Sequence, residues 1–126
     1  MFYHHYKDVP AEDWTWEHFT PAEIASKGDG SILIVPEALD RLEALRVRLD
    51  KPLVILSAYR DPLHNARVGG APLSQHKNGV AFDIRLDFER NELLIHARAV
   101  GFTGYGIYKT FTHIDCGPAR SWHGSY

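Results

Sequence analysis

Two stretches, "VAFDIRL" (Val80 to Leu86) and "FTHIDC" (Phe111 to Cys116), alternate polar and apolar residues with a period of two. That pattern constrains the fold more than any other feature of the chain. A period of two sends successive side chains to opposite sides of a strand. Phe82 and Ile84 therefore share one face, and Ala81, Asp83 and Arg85 the other. In the second stretch Phe111, His113 and Asp115 oppose Thr112, Ile114 and Cys116. Two strands with one apolar face each require an apolar layer to cover them, while Asp83 and His113 are left on faces that can present polar groups.

The covering layer is legible upstream. Pro36 opens a helix in which Leu39, Leu42, Leu45 and Leu49 recur at helical spacing, with Asp40, Arg41, Arg46 and Arg48 on other faces, so this helix is expected to pack on a sheet. Before it, "HFTPAEIASKGDG" reads as a short helix capped by Thr20, with Pro21 first, Glu23 completing a capping box, and glycines ending it. "KPLVILSA" suits a buried strand, and Asp61 and Pro62 start a helical turn that Gly69 and Gly70 stop. "APLSQHKNG" reads as loop. Asp87 is placed to cap a helix running through Val100, with Leu93, Ala97 and Val100 in one stripe and Gly101 at its end. "GYGIYKTFTHIDCG" reads as two short strands turning near Lys109 and Thr110.

Length and charge narrow the functional classes. A chain of 126 residues fits one compact domain, 1–126, with neither a repeat nor a linker. A formal net charge of -2 argues against a nucleic-acid partner, whose phosphates call for a basic patch. With Cys116 the sole cysteine, no intramolecular disulfide forms and any metal must be held by His and carboxylate. Neither a signal peptide nor an apolar run of about 20 residues is visible, so no membrane span is expected.

If the two alternating strands lie together, Asp83 and His113 each sit on a face that can present polar groups, and His76 would complete a set of two imidazoles and one carboxylate. Such a set supplies three ligands to Zn²⁺ and leaves a fourth position for water, as a catalytic zinc requires. From spacing alone the alternative stands beside it: His76 solvated, Asp83 capping or paired with an Arg, and His113 hydrogen-bonded within its strand.

"SAYR" (Ser57 to Arg60), "SQHKNGVAFD" (Ser74 to Asp83) and "FTHID" (Phe111 to Asp115) occur in that order. Together they resemble the M15 zinc peptidases, especially the D-alanyl-D-alanine carboxypeptidase-like branch that includes murein endopeptidases. The likeness spans most of the chain. It implies an α+β fold of the D-Ala-D-Ala carboxypeptidase/hedgehog-like kind, with a small, mostly antiparallel sheet, helices on one side and a zinc cleft on the other. It also implies that His76, Asp83 and His113 hold Zn²⁺. Gly79 then lets the loop bend into the strand, and Ala81 keeps volume low beside the metal.

The same resemblance gives Arg60 a task suited to a planar fork of donors, clamping a substrate carboxylate or an oxyanion; a surface ion pair with Asp61 or Asp87 is the alternative. Ser74 is a candidate donor to substrate backbone, ahead of Gln75. His64 is a candidate contact near the cleft, or else a helix-surface histidine. Tyr105 and Tyr108 are candidate oxyanion donors, or else packing residues. Several relatives carry an acid three positions before the last histidine ligand, or a histidine two before it, where this chain has Thr110 and Phe111. Asp115 is the nearest acid, either as the base or as a group holding a ligand ring or Arg60. Trp122 either stacks on a sugar or covers the sheet end, with packing preferred, and Cys116 reads as a small core residue.

The expected reaction is amide hydrolysis in peptidoglycan stem peptides or cross-links, as a carboxypeptidase or an endopeptidase. A monomer is expected, made in the cytoplasm and released to the cell wall in the manner of a phage lysin. The rival readings are a zinc-stabilised cell-wall-binding domain without catalysis and a structural component of a phage particle.

Overall fold

The structure is a computed structural model and describes residues 1–124. After β1 (Phe2–Tyr3) come α1 (Pro21–Ile24), β2 (Ile32–Leu33), α2 (Pro36–Leu49) and β3 (Ile55–Ser57). Then follow α3 (Pro62–Arg67), β4 (Ala81–Arg85), α4 (Arg90–Ala99), β5 (Gly104–Ile107), β6 (Phe111–Asp115) and β7 (Arg120–His123). Strands β1 and β2 form a small antiparallel pair, and the other five form one sheet in the order β3-β4-β6-β5-β7. Three of its pairings are antiparallel and one, β5 with β7, is parallel. The α+β class and the mostly antiparallel sheet expected from the sequence are both present.

The alternating stretches become the neighbouring strands β4 and β6, registered so that Asp83 lies opposite His113 and Ala81 opposite Asp115. Phe82, Ile84, Thr112 and Ile114 face the core and are almost completely buried. There they meet Leu39, Leu42 and Leu45 of α2 and Leu93 and Ala97 of α4 in one apolar cluster. Period two and period 3.6 thus bury their apolar faces against each other. The opposite face of β4 and β6 is left for the site.

Local chemistry accounts for most boundaries. Thr20 and Glu23 form the reciprocal capping box, with the Glu23 carboxylate accepting from Thr20 N at 2.9 Å. Asp61 Oδ1 accepts from His64 N at 2.9 Å and starts α3. Helix α2 ends at Asp50, which takes a left-handed conformation (φ 51°).

Three expectations need correction. Helix α1 ends after one turn at Ala25, before the glycines near 28–30, because Ile24 and Ala25 turn into the core. Asp87 caps nothing: its carboxylate accepts from Arg85 Nε at 2.7 Å, and α4 begins at Arg90 behind Glu89, which makes no side-chain cap. "KPLVILSA" yields a strand of only three residues, at the edge of the sheet among the described residues, with Ile55 buried on one face and Leu56 exposed on the other.

Candidate metal centre

His76 reaches the sheet from the loop ahead of β4. Turns at Ser74–Asn78 hold that loop, and Gly79, at φ +72°, redirects the chain into the strand. The Gly79 position is also crowded, since a Cβ there would meet Leu33 O at 3.2 Å and Val35 Cγ2 at 3.1 Å. The expected role for this glycine is thus met twice over, by conformation and by space. The Arg60 amide donates to His76 O at 3.1 Å and ties the loop to the end of β3.

One ligand atom from each of His76, Asp83 and His113 lies within 4.8 Å of the others, and all three residues are buried. His76 Nε2 is 3.1 Å and His113 Nδ1 3.0 Å from the same oxygen, Asp83 Oδ1. The remaining ring nitrogens are assigned by their partners. His76 Nδ1 is 2.7 Å from the carbonyl of Ala58, which only accepts, so Nδ1 carries a proton. His113 Nε2 is 2.6 Å from Asp115 Oδ2 and donates to it. With both rings neutral, the lone pairs of His76 Nε2 and His113 Nδ1 and an oxygen of Asp83 converge on one point. Three acceptors at one point are satisfied by a cation, and an N₂O set of this kind suits Zn²⁺.

The electrostatics of His76 agree with a neutral ring. Burial pushes the His76 imidazole below its ordinary value, against the pull of Asp83. Burial pushes Asp83 up, but when the ring nitrogens that face it carry protons, hydrogen bonds from His113 and His76 outweigh burial and hold the carboxyl well below the usual range. Burial pushes His113 down, yet its bonds to Asp115 and Asp83 outweigh that and raise it, so a proton and a cation compete for Nδ1.

Residues 17–116 match the family described as Peptidase M15. The chain belongs to the M15 peptidase family. It is also 34% identical over 89 residues to the zinc D-Ala-D-Ala carboxypeptidase of Streptomyces albus G. That alignment covers 65% of this chain and 35% of the relative, so the chain spans about a third of the length of the curated relative it matches.

Within this M15 chain the other candidate residues fall in different places. Arg60 lines the cleft beside His76, Asp83 and His113. Its partners are neither Asp61 nor Asp87: Nη2 donates to Asp83 Oδ2 at 3.2 Å, Nε to Ser57 Oγ at 3.0 Å, and Nη1 to Asn65 Oδ1 at 3.3 Å. Ser74 and Tyr108 line the same cleft. Ser74 Oγ accepts from His76 N at 3.2 Å. Tyr108 stacks on Phe111 with ring centroids 4.4 Å apart, and its hydroxyl accepts from Trp122 Nε1 at 2.9 Å. His64 is not brought to the cleft: it lies on α3 with its Cβ against the turn at Gly28. Tyr105 is buried in the core and donates to Phe102 O.

Asp115 is fully buried and does not line the cleft. Its Oδ1 accepts from Gly117 N at 2.9 Å and Arg120 Nη1 at 2.9 Å, and its Oδ2 from Arg120 Nη2 at 2.8 Å and His113 Nε2. A carboxylate offers roughly four acceptor sites, and all are used. Of the two roles the sequence left open, this geometry favours holding a ligand ring. Burial pushes the Asp115 carboxyl up, but the hydrogen bonds from His113 and Arg120 outweigh it and hold it below its ordinary range.

Sequence reasoning passed over Arg120 as a site residue and gave Trp122 to packing. Both line the cleft, Trp122 with its ring 5.1 Å from that of His113. The signal that would have found them is "GYG" in β5. Gly104 pairs with Arg120 and Gly106 with Trp122, and a Cβ at either glycine would strike the paired side chain, at 2.2 Å and 2.7 Å.

Proposed function

We propose that the chain is a zinc metallopeptidase that hydrolyses amide bonds in the peptide stems of peptidoglycan. The observation that carries the reading is the convergence of His76 Nε2, Asp83 Oδ1 and His113 Nδ1 at the floor of a cleft walled by Arg60. When bound there, Zn²⁺ supplies a Lewis acid for the scissile carbonyl and lowers the pKa of a bound water toward ~7. Arg60, already drawn to the ligand set through Asp83, offers a cation to a substrate carboxylate or to the developing oxyanion. Ser74 lies on the cleft wall to meet the substrate backbone. Tyr108, Phe111 and Trp122 form an aromatic wall against which the peptide lies. The family membership supports peptide hydrolysis, and the name of the Streptomyces relative supports a C-terminal D-alanine as leaving group.

A second reading has one observation in its favour. Among the described residues Asp83 is the only carboxylate lining the cleft, so no spare acid stands by to take a proton from water. A wall-binding domain that keeps zinc without turnover is consistent with that lining. Zinc content and digestion of purified peptidoglycan by wild type and His76→Ala separate the readings. The enzyme releases free D-alanine or new amine termini and loses both with its zinc in His76→Ala. Zinc at one equivalent with neither product supports the binding domain. Free D-alanine marks a carboxypeptidase, and cross-link loss without it marks an endopeptidase.

A further inference from the structure

We propose that Arg120 is a positioning residue for the metal: acting through Asp115, it fixes the His113 ring with Nε2 as donor and Nδ1 turned to the cation. The proposal rests on the metal centre described above and concerns a residue that touches neither the metal nor its ligands.

Arg120 holds Asp115 with both prongs of its guanidinium, Nη1 to Oδ1 at 2.9 Å and Nη2 to Oδ2 at 2.8 Å. A carboxylate held at one oxygen can rotate about its Cβ–Cγ bond. One held at both oxygens, with Gly117 N on the first, keeps a single orientation. Asp115 Oδ2 is thereby aimed at His113 Nε2, and the ring cannot flip without breaking that bond. Partners of this kind orient metal-bound imidazoles and select the nitrogen that binds.

The contact spans a strand. Asp115 lies on β6 and Arg120 on β7, with β5 between them, and Gly104 of β5 is in register with both. A Cβ at Gly104 would lie 2.0 Å from Asp115 Oδ1 and 2.2 Å from Arg120 Nη1, so any side chain there would break the pair apart. The backbone at Gly104 is not left-handed, so the glycine is required here by space and not by conformation. Two positions along, Gly106 makes the same gap for Trp122, which lies against His113 on one side and under the Arg120 guanidinium, 4.9 Å from its ring, on the other. Arg120, Trp122 and the two glycines thus form a strap across β5 that ends on one metal ligand. Lysine cannot replace its fork, having no second prong.

The test measures zinc affinity by chelator competition, and the visible spectrum of the cobalt-substituted protein, for wild type, Arg120→Met, Gly104→Ala, their double variant and His76→Ala. Arg120→Met and Gly104→Ala are each expected to weaken zinc binding on the order of 10- to 100-fold. Both should alter the cobalt bands, which report ligand geometry and do not respond to general stability. The double variant should be no weaker than the worse single one, because both lesions cut the same strap. Should Gly104→Ala fail to fold, Arg120→Lys replaces it and is expected to bind zinc more weakly than wild type. Wild-type affinity and spectrum in Arg120→Met, fully multiplying losses in the double variant, or wild-type affinity in Arg120→Lys would each overturn the proposal. Unchanged zinc binding in His76→Ala would instead overturn the metal centre itself.

Discussion

Thr112 shows how a single side chain can sit against its surroundings. It is fully buried on the core face of β6, and its Oγ1 has no hydrogen-bond partner among the described residues. A buried hydroxyl without a partner costs about 1–3 kcal/mol, while valine keeps the β-branched shape that a strand favours. Thr112→Val is therefore expected to stabilise the protein by about 1 kcal/mol, read as a higher urea midpoint at unchanged slope. Asp61 is the opposite case, with both oxygens committed. Oδ2 accepts from Ser26 Oγ at 2.5 Å and Oδ1 caps α3. Burial pushes its carboxyl up, but those hydrogen bonds outweigh it and hold it below the ordinary value. A depressed folded value means stability that is complete above the unfolded value and lost as pH falls through the folded one. Wild type should exceed Asp61→Asn in denaturation free energy near neutral pH. The gap should close as pH falls below about 4, and a gap independent of pH would contradict the assignment.

At the scale of elements, α2 supplies the apolar layer that the sheet needs. Leu42 is completely buried at its centre, among residues of both the helix and the sheet. Leu42→Ala is expected to cost about 2–5 kcal/mol in chemical denaturation without changing zinc stoichiometry, since the cavity opens on the side of the sheet away from the cleft. The elements also mark the limit of local reading. The capping box of α1, the leucines of α2 and the alternation of β4 and β6 are each set by residues a few positions apart. Strand β7 is set by a partner about sixteen residues earlier in the chain, Gly104 for Arg120 and Gly106 for Trp122. Its own sequence, "RSWH", has one half-buried position and three exposed ones, so no burial pattern announces it.

For the whole molecule, the apolar cluster and the metal centre lie on opposite faces of the same two strands. The apolar cluster includes none of His76, Asp83 and His113, whereas the sheet is what brings Asp83 and His113 together. Chelation is therefore expected to leave a folded protein with a lower melting temperature. Free zinc at 100 times its dissociation constant should restore about 2.7 kcal/mol, and His76→Ala should melt at a temperature indifferent to zinc. No helix among the described residues is long and apolar enough to cross a membrane.

Much of the centre was legible in the residues. Alternation placed Asp83 and His113 on strand faces able to present polar groups, while their grouping with His76 came from the resemblance of "SAYR", "SQHKNGVAFD" and "FTHID" to the M15 peptidases. The placement on strand faces follows from backbone periodicity, which a chain expresses locally and before it folds. Which nitrogen of each ring faces the metal was not legible, because Ala58 O and Asp115 decide it from elsewhere in the fold. Nor could the residues choose between the two readings of Asp115, as base or as holder of a ligand ring, because Arg120 reaches it from across β5. The sequence by itself determined the class of fold, the ligand types and the apolar layer. Only the tertiary structure decided the tautomers, the strap and the strand that carries it, since hydrogen bonds between distant strands depend on register, and register exists only once the sheet has closed.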